Sequence, residues 1–116
     1  MKWLLILNRR PYDGTDVTWN ALRLAQAGLD KKAEVRLFLM NDSVDLARSG
    51  SKPAEAEFDL GAMLIDLEQK GVTVKLCTTC INRCGIGKGD LIKAHWPATM
   101  KDLAAWVDES DRLLTF

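Results

Sequence analysis

The fold turns on how Trp3–Asp16, WLLILNRRPYDGTD, is read. Trp3 to Leu7 is a short, wholly apolar run behind a single lysine, which invites comparison with a secretory leader. The run stops at Asn8-Arg9-Arg10, too soon for the apolar region of a signal peptide. An unbroken apolar run of this length instead suits a strand buried on both faces of a sheet. Pro11, Asp13 and Gly14 then break it. Thr15 or Asp16 offers a side-chain oxygen to the free N–H groups of a helix's first turn. Buried strand, turn and capped helix make the opening of an α/β chain.

The same alternation continues outward. Val17, Ala21, Leu24, Ala25 and Gly28 recur at helical spacing on one face, with Trp19 nearly opposite. Glu34–Met40, EVRLFLM, reads as a second strand, followed by Asp42 and a short helix over SVDLAR. Ser49–Glu57, SGSKPAEAE, has no periodicity and is expected to be a mobile loop. Leu60, Met63, Leu64 and Leu67 define a second long helix, which Gly71 is placed to stop. Val72–Cys77, VTVKLC, is the third strand, and a short helix follows across Thr79–Arg83. Gly85, Gly87 and Gly89 mark a turn-rich passage, and Ile92–Trp96 is expected to be a fourth short strand. Thr99 can cap a helix whose apolar face is Met100, Leu103, Trp106 and Val107, and Arg112–Phe116 closes the chain as a fifth strand. This order predicts one α/β domain over residues 1–116, a mostly parallel sheet with helices on both faces. Ligands gather at the carboxyl ends of the strands in such sheets. Asn8–Asp16, Asn41–Ser43 and the residues from Cys77 onward all leave strands on that edge.

Bulk composition narrows the function. Of 116 residues, 16 are basic and 16 acidic, so no net field draws the chain to nucleic acid or to an anionic membrane. No segment approaches the roughly 20 apolar residues of a membrane span. Three cysteines are an odd count and a poor disulfide framework, so a reducing compartment, the cytoplasm, is expected.

All three lie in Lys75–Asp90, KLCTTCINRCGIGKGD, as Cys77, Cys80 and Cys84. On a continuous helix, this spacing puts the three thiols on one face. A thiol at a helix N-terminus has its thiolate favoured by unpaired N–H groups and the helix dipole, and Arg83 and Lys88 would push the same way. Cys77 is therefore expected to titrate below the usual thiol value. The plainer reading is three buried cysteines acting as small apolar residues. A zinc site would need a fourth ligand where only His95 offers a nitrogen, and an iron–sulfur cluster would need a fourth cysteine. No metal or other cofactor is expected. GIGKGD lacks the spacing of a phosphate-binding loop, and the lone His95 is not read as a catalyst.

From end to end the chain resembles the DsrE/DsrF-like family, and within it the small YchN-type proteins. The resemblance is carried by LNRRPYDGTDVTWNALRLA, EVRLFLMNDSVDLA, GVTVKLCTTCINRCGI and TMKDLAAWVDESDRLLTF. It implies a three-layer α/β/α sandwich with a five-stranded parallel sheet, assembling into trimers or hexamers. It also implies that Cys77, at the end of the third strand, corresponds to the cysteine that carries a persulfide in sulfur-relay members. Cys80 matches a second cysteine usual in YchN-like proteins. The arginine common before the closing glycine of the motif is replaced by Cys84, with Arg83 one step earlier.

The resulting expectation is a carrier of sulfane sulfur or an accessory to sulfur transfer, with Cys77 as acceptor and Cys80 as resolving or second carrier thiol. Its partners would be sulfur donor and acceptor proteins or low-molecular-weight thiols, and copies of itself. Trp19, read as lying in water on a lone chain, is expected at or beside a subunit contact. Two other classes stay open: a thiol redox sensor with a reversible Cys77–Cys80 disulfide, and a non-catalytic, small-ligand-binding oligomer subunit. The pocket of the latter would lie between the Asn8–Asp16 loop and the cysteine helix.

Overall fold

A computed structural model describes all residues, Met1–Phe116. Five strands form one sheet: β1 (Lys2–Leu7), β2 (Glu34–Leu39), β3 (Thr73–Cys77), β4 (Pro97–Ala98) and β5 (Arg112–Thr115). Their order is β4-β3-β2-β1-β5, and every neighbouring pair is parallel. The helices are α1 (Val17–Asp30), α2 (Leu60–Gln69), α3 (Thr78–Arg83) and α4 (Met100–Glu109), with short 3-10 helices over Asn41–Ala47 and Lys88–Asp90. The short helix expected after β2 is the first 3-10 helix. No helix is long and apolar enough to cross a membrane.

The central strands explain their composition. Leu4, Leu5 and Leu7 of β1 and Leu37, Phe38 and Leu39 of β2 are buried because both faces of the sheet are covered. From β1 through β2 to β3 the chain steps in one direction, so right-handed crossovers put α1 and α2 on one face. The return from β4 to β5 puts α4 on the other. Side chains agree: Gly28 of α1 lies against Trp3 and Val35, while Phe38, Arg36 and Lys75, facing the opposite way, meet Trp106 of α4. The molecule is a three-layer α/β/α sandwich.

Helix ends follow local chemistry. Thr99 Oγ1 accepts from the Asp102 N–H, and the Asp102 carboxylate accepts from the Thr99 N–H, a reciprocal cap of about 1 kcal/mol. Gly71, at φ +112°, ends α2. At α1, of the two candidates, Thr15 meets the first turn, its Oγ1 accepting from the Val17 N–H at 3.4 Å, while Asp16 holds the N-cap position without a side-chain bond. Asp13 organises the turn before it, accepting from the Thr15 N–H at 3.0 Å and from Arg9 at 2.9 Å.

Three expectations are corrected. Ile92–Trp96 is not a strand, because the amides at its two ends are bonded outside the sheet. The Ile92 N–H goes to Ala47 and the Trp96 N–H turns back to Lys93. The ladder with β3 is formed by Pro97 and Ala98. The apolar character of the segment reflects packing, with Trp96 fully buried. Second, α1 turns Thr18, Ala21, Leu22, Ala25 and Gly28 inward, leaving Val17 and Leu24 half-buried. Third, Trp19 is not in open water. Phe58, arriving from the loop before α2, stacks on it at 4.9 Å between ring centroids, so part of its cover comes from its own chain.

Candidate functional site: a thiol pair at the carboxyl edge of the sheet

β3 delivers Cys77 to the carboxyl edge, where α3 starts at the next residue. Cys77 is the N-cap of α3, and its Sγ accepts from the Cys80 N–H at 3.2 Å, the role usually taken by serine or aspartate. The Sγ of Cys80, one turn on, accepts from the Asn41 N–H at 3.2 Å. Asn41 follows β2 with φ +54°, a left-handed conformation that asparagine tolerates better than most side chains. Its Nδ2 donates to Asn8 Oδ1 at 2.9 Å, and the Asn8 N–H donates to the Phe116 carbonyl at 2.8 Å. Residues from the ends of β3, β2, β1 and β5 are thereby linked, two thiols at one end and the chain terminus at the other.

Ser43 stiffens the same turn. Its buried hydroxyl lies 2.7 Å from both the Leu7 and the Met40 carbonyl oxygens, tying the ends of β1 and β2 together. Asn8, Asn41 and Ser43 were visible in the sequence only as parts of strand-end loops. Their polar, turn-forming character was the available signal, and their partners were not.

Both thiols are nearly covered, Cys77 at 6% and Cys80 at 8% exposure. Burial pushes the Cys77 thiol above its ordinary value, and its hydrogen bond with the Cys80 side chain adds to this. The N–H groups of Cys80 and Thr79 pull the other way without prevailing. The expected lowering is therefore overturned, because desolvation outweighs the N-cap donors. Arg83 faces Asp42 at 3.9 Å, and neither it nor Lys88 is among the influences on Cys77.

The structure brings Cys77 and Cys80 together and leaves Cys84 out. α3 ends at Arg83, so Cys84 is its C-cap and is exposed. His95 is hydrogen-bonded to Glu68 of α2 at 3.2 Å. The Asn8–Asp16 loop lines two recesses, and no residue of α3 lines either. Asn8, Arg9, Arg10 and Asp13 line a polar recess with Asp42, and Tyr12, Gly14, Thr15 and Asp16 open onto a separate cavity closed by the segment from Pro53 to Leu60.

Chemically, two thiols three residues apart, each receiving a backbone N–H, can bear sulfur-centred charge or share a covalent bond. The model of the DsrE/DsrF-like family matches residues 1–116. Protein YchN of Escherichia coli strain K12 is 38% identical over 117 aligned positions, 99% of this chain and 98% of the relative. The uncharacterized protein MJ0989 of Methanocaldococcus jannaschii is 36% identical over 116 positions, the full length of both. The crystal structure of the E. coli ychN protein superposes with a TM-score of 0.89 at 37% identity, covering 100% of this chain and 99% of that one.

Proposed function

Because the chain belongs to the DsrE/DsrF-like family, we propose that it accepts and passes on sulfane sulfur through the Cys77–Cys80 pair. The observation that carries this reading is the pair of N–H-supported thiols at the carboxyl edge, Cys77 held at the start of α3 and Cys80 held by Asn41. Cys77 is the acceptor. Its thiolate attacks the outer sulfur of a donor persulfide, R–S–SH. The donor S–S bond breaks, a new S–S bond forms on Cys77, the proton stays on the outer sulfur, and RS⁻ leaves. An acceptor thiolate then attacks that outer sulfur and regenerates the Cys77 thiolate. If the Cys80 thiolate attacks the inner sulfur instead, HS⁻ leaves and a Cys77–Cys80 disulfide remains.

Burial sets the conditions. A covered thiol with a raised pKa holds little thiolate at neutral pH, so loading requires a donor that reaches into the edge and presents its sulfur directly. Donors and acceptors are persulfide-bearing proteins or small thiols. The functional unit is a homo-oligomer, a trimer or hexamer. In support, the outer strand β5 leaves Leu113 45% and Leu114 38% exposed, beside an exposed Met1.

Intact mass after incubation with a small persulfide donor tests the reading. It predicts a gain of one sulfur atom, removed by a reductant and absent after prior alkylation of Cys77. A redox pair is the second reading, favoured by the closeness of the two residues, Cys77 Sγ accepting from the Cys80 N–H at 3.2 Å. It predicts the loss of two hydrogens on mild oxidation and no gain of sulfur.

A further inference from the structure

The loop before α2 closes a cavity that the thiol chemistry does not use. Its volume is about 340 Å³, enough for one small molecule. Three aromatic side chains, Tyr12, Trp19 and Phe58, and three carboxylates, Asp16, Glu55 and Glu57, line it, and no cysteine does. The aromatic part is fixed in advance. The Tyr12 hydroxyl accepts from the Leu60 N–H at 2.9 Å and donates to the Phe58 carbonyl at 3.3 Å, pinning the loop to the turn that starts α1. Phe58 in turn stacks on Trp19.

The charge is not balanced within the chain. None of its ion pairs uses Asp16, Glu55 or Glu57. Against these three negative charges stand Arg23, whose guanidinium lies over the Trp19 ring at 4.3 Å, Lys52, whose Nζ donates to the Pro53 carbonyl at 3.4 Å, and about half a positive charge from the α1 N-terminus. The surplus remains negative. Arg23 and Phe58 already stand against the Trp19 ring, so the aromatic face still open to the cavity is that of Phe58, which is 41% exposed. Aromatic faces with carboxylates at their rim attract organic cations through the ring quadrupole and direct charge attraction together.

We propose that this cavity binds a small organic cation, an alkylammonium or quaternary ammonium group, with Trp19 and Phe58 as its apolar wall and Glu55 and Glu57 as its counter-charge. The site is independent of sulfur transfer.

The test is an NMR titration of the full chain, following the Trp19 indole N–H, identified by its absence in Trp19→Phe. Tetramethylammonium chloride is the probe, with sodium chloride holding ionic strength constant. Neopentyl alcohol, nearly the same shape without the charge, is the control. The proposal expects a saturable shift with the cation, clearly weaker binding of the alcohol, and about fivefold weaker cation binding in the double variant Glu55→Gln/Glu57→Gln. The remainder of that variant's spectrum reports whether it is folded, and Asp16→Asn gives a second reading of the rim charge. The proposal is overturned if tetramethylammonium produces no saturable shift, if the alcohol binds equally well, or if the charge-removing variants bind the cation as tightly as the parent.

Discussion

Replacing Asn41 by alanine and, separately, by glycine separates the two things this residue does. Asn41 sits at φ +54° and gives one side-chain hydrogen bond, to Asn8. Alanine loses the bond, about 1 kcal/mol, and places an unsuited Cβ in the left-handed region, roughly another 1 kcal/mol. Glycine loses the bond but takes the backbone angle without strain. The alanine variant should therefore be destabilised by about 2 kcal/mol and the glycine variant by about 1 kcal/mol or less. For 116 residues, an unfolding entropy of about 2.1 cal/mol/K per residue converts 1 kcal/mol into about 4 °C, so the expected drops in Tm are about 8 °C and at most about 4 °C. Both variants keep the N–H that meets Cys80 but hold it less firmly, so both should alkylate faster at Cys80. Calorimetry and peptide-resolved iodoacetamide kinetics read the two effects. Equal melting temperatures for the two variants would show that the positive φ costs alanine nothing. Unchanged Cys80 kinetics in both would detach Asn41 from the thiol site.

Burial raises the Cys77 pKa in the folded chain, so its contribution to stability is complete below the ordinary thiol value of about 8.5 and is lost as pH rises through the folded value. Urea unfolding across that alkaline range should lose stability more steeply in the parent than in Cys77→Ser, and parallel slopes would refute the shift. Gly28→Ala should destabilise, since the added Cβ would lie 2.8 Å from the Trp3 ring and 2.9 Å from a Val35 methyl. Overpacking of about 1–3 kcal/mol then exceeds the roughly 1 kcal/mol that alanine gains in a helix, and a rise in Tm would contradict the packing described. Light scattering after size exclusion should give a trimer or hexamer that Leu113→Asp dissociates, whereas a monomeric parent would remove the assembly from the account.

How much of this could be read in the sequence depends on where each determinant lies. The apolar run at Trp3–Leu7 is legible because a parallel strand covered on both faces has nothing polar to show, and in Glu34–Met40 the polar Glu34 and Arg36 stand only at the start of the strand. The Thr99 cap is legible because both halves lie within four residues. Ile92–Trp96 misleads, since an apolar run that packs in irregular conformation looks like one that packs as a strand. Trp19 misleads because Phe58, its cover, comes from a segment without periodicity. At the site, Cys77 and Cys80 were visible as a spaced pair. The direction of the Cys77 shift was not, because it depends on how deeply the sheet edge is buried, and no local motif states that. The Asn8–Asn41 contact joins residues 33 apart and exists only after β1 and β2 have paired. Cys84 was grouped with the other thiols on the assumption of a longer helix, and α3 stops one residue short of it.

The central claim is that Cys77 receives sulfane sulfur with Cys80 beside it. The most direct measurement is peptide-resolved mass spectrometry of the parent, Cys77→Ser, Cys80→Ser and Cys84→Ser after exposure to one small persulfide donor, with persulfides trapped by alkylation. The account predicts the added sulfur on Cys77 in the parent and in Cys84→Ser, its absence in Cys77→Ser, and a longer-lived Cys77 persulfide in Cys80→Ser, where no neighbouring thiol can displace HS⁻. Equal loading of Cys77→Ser, or sulfur found only on the exposed Cys84, would contradict it.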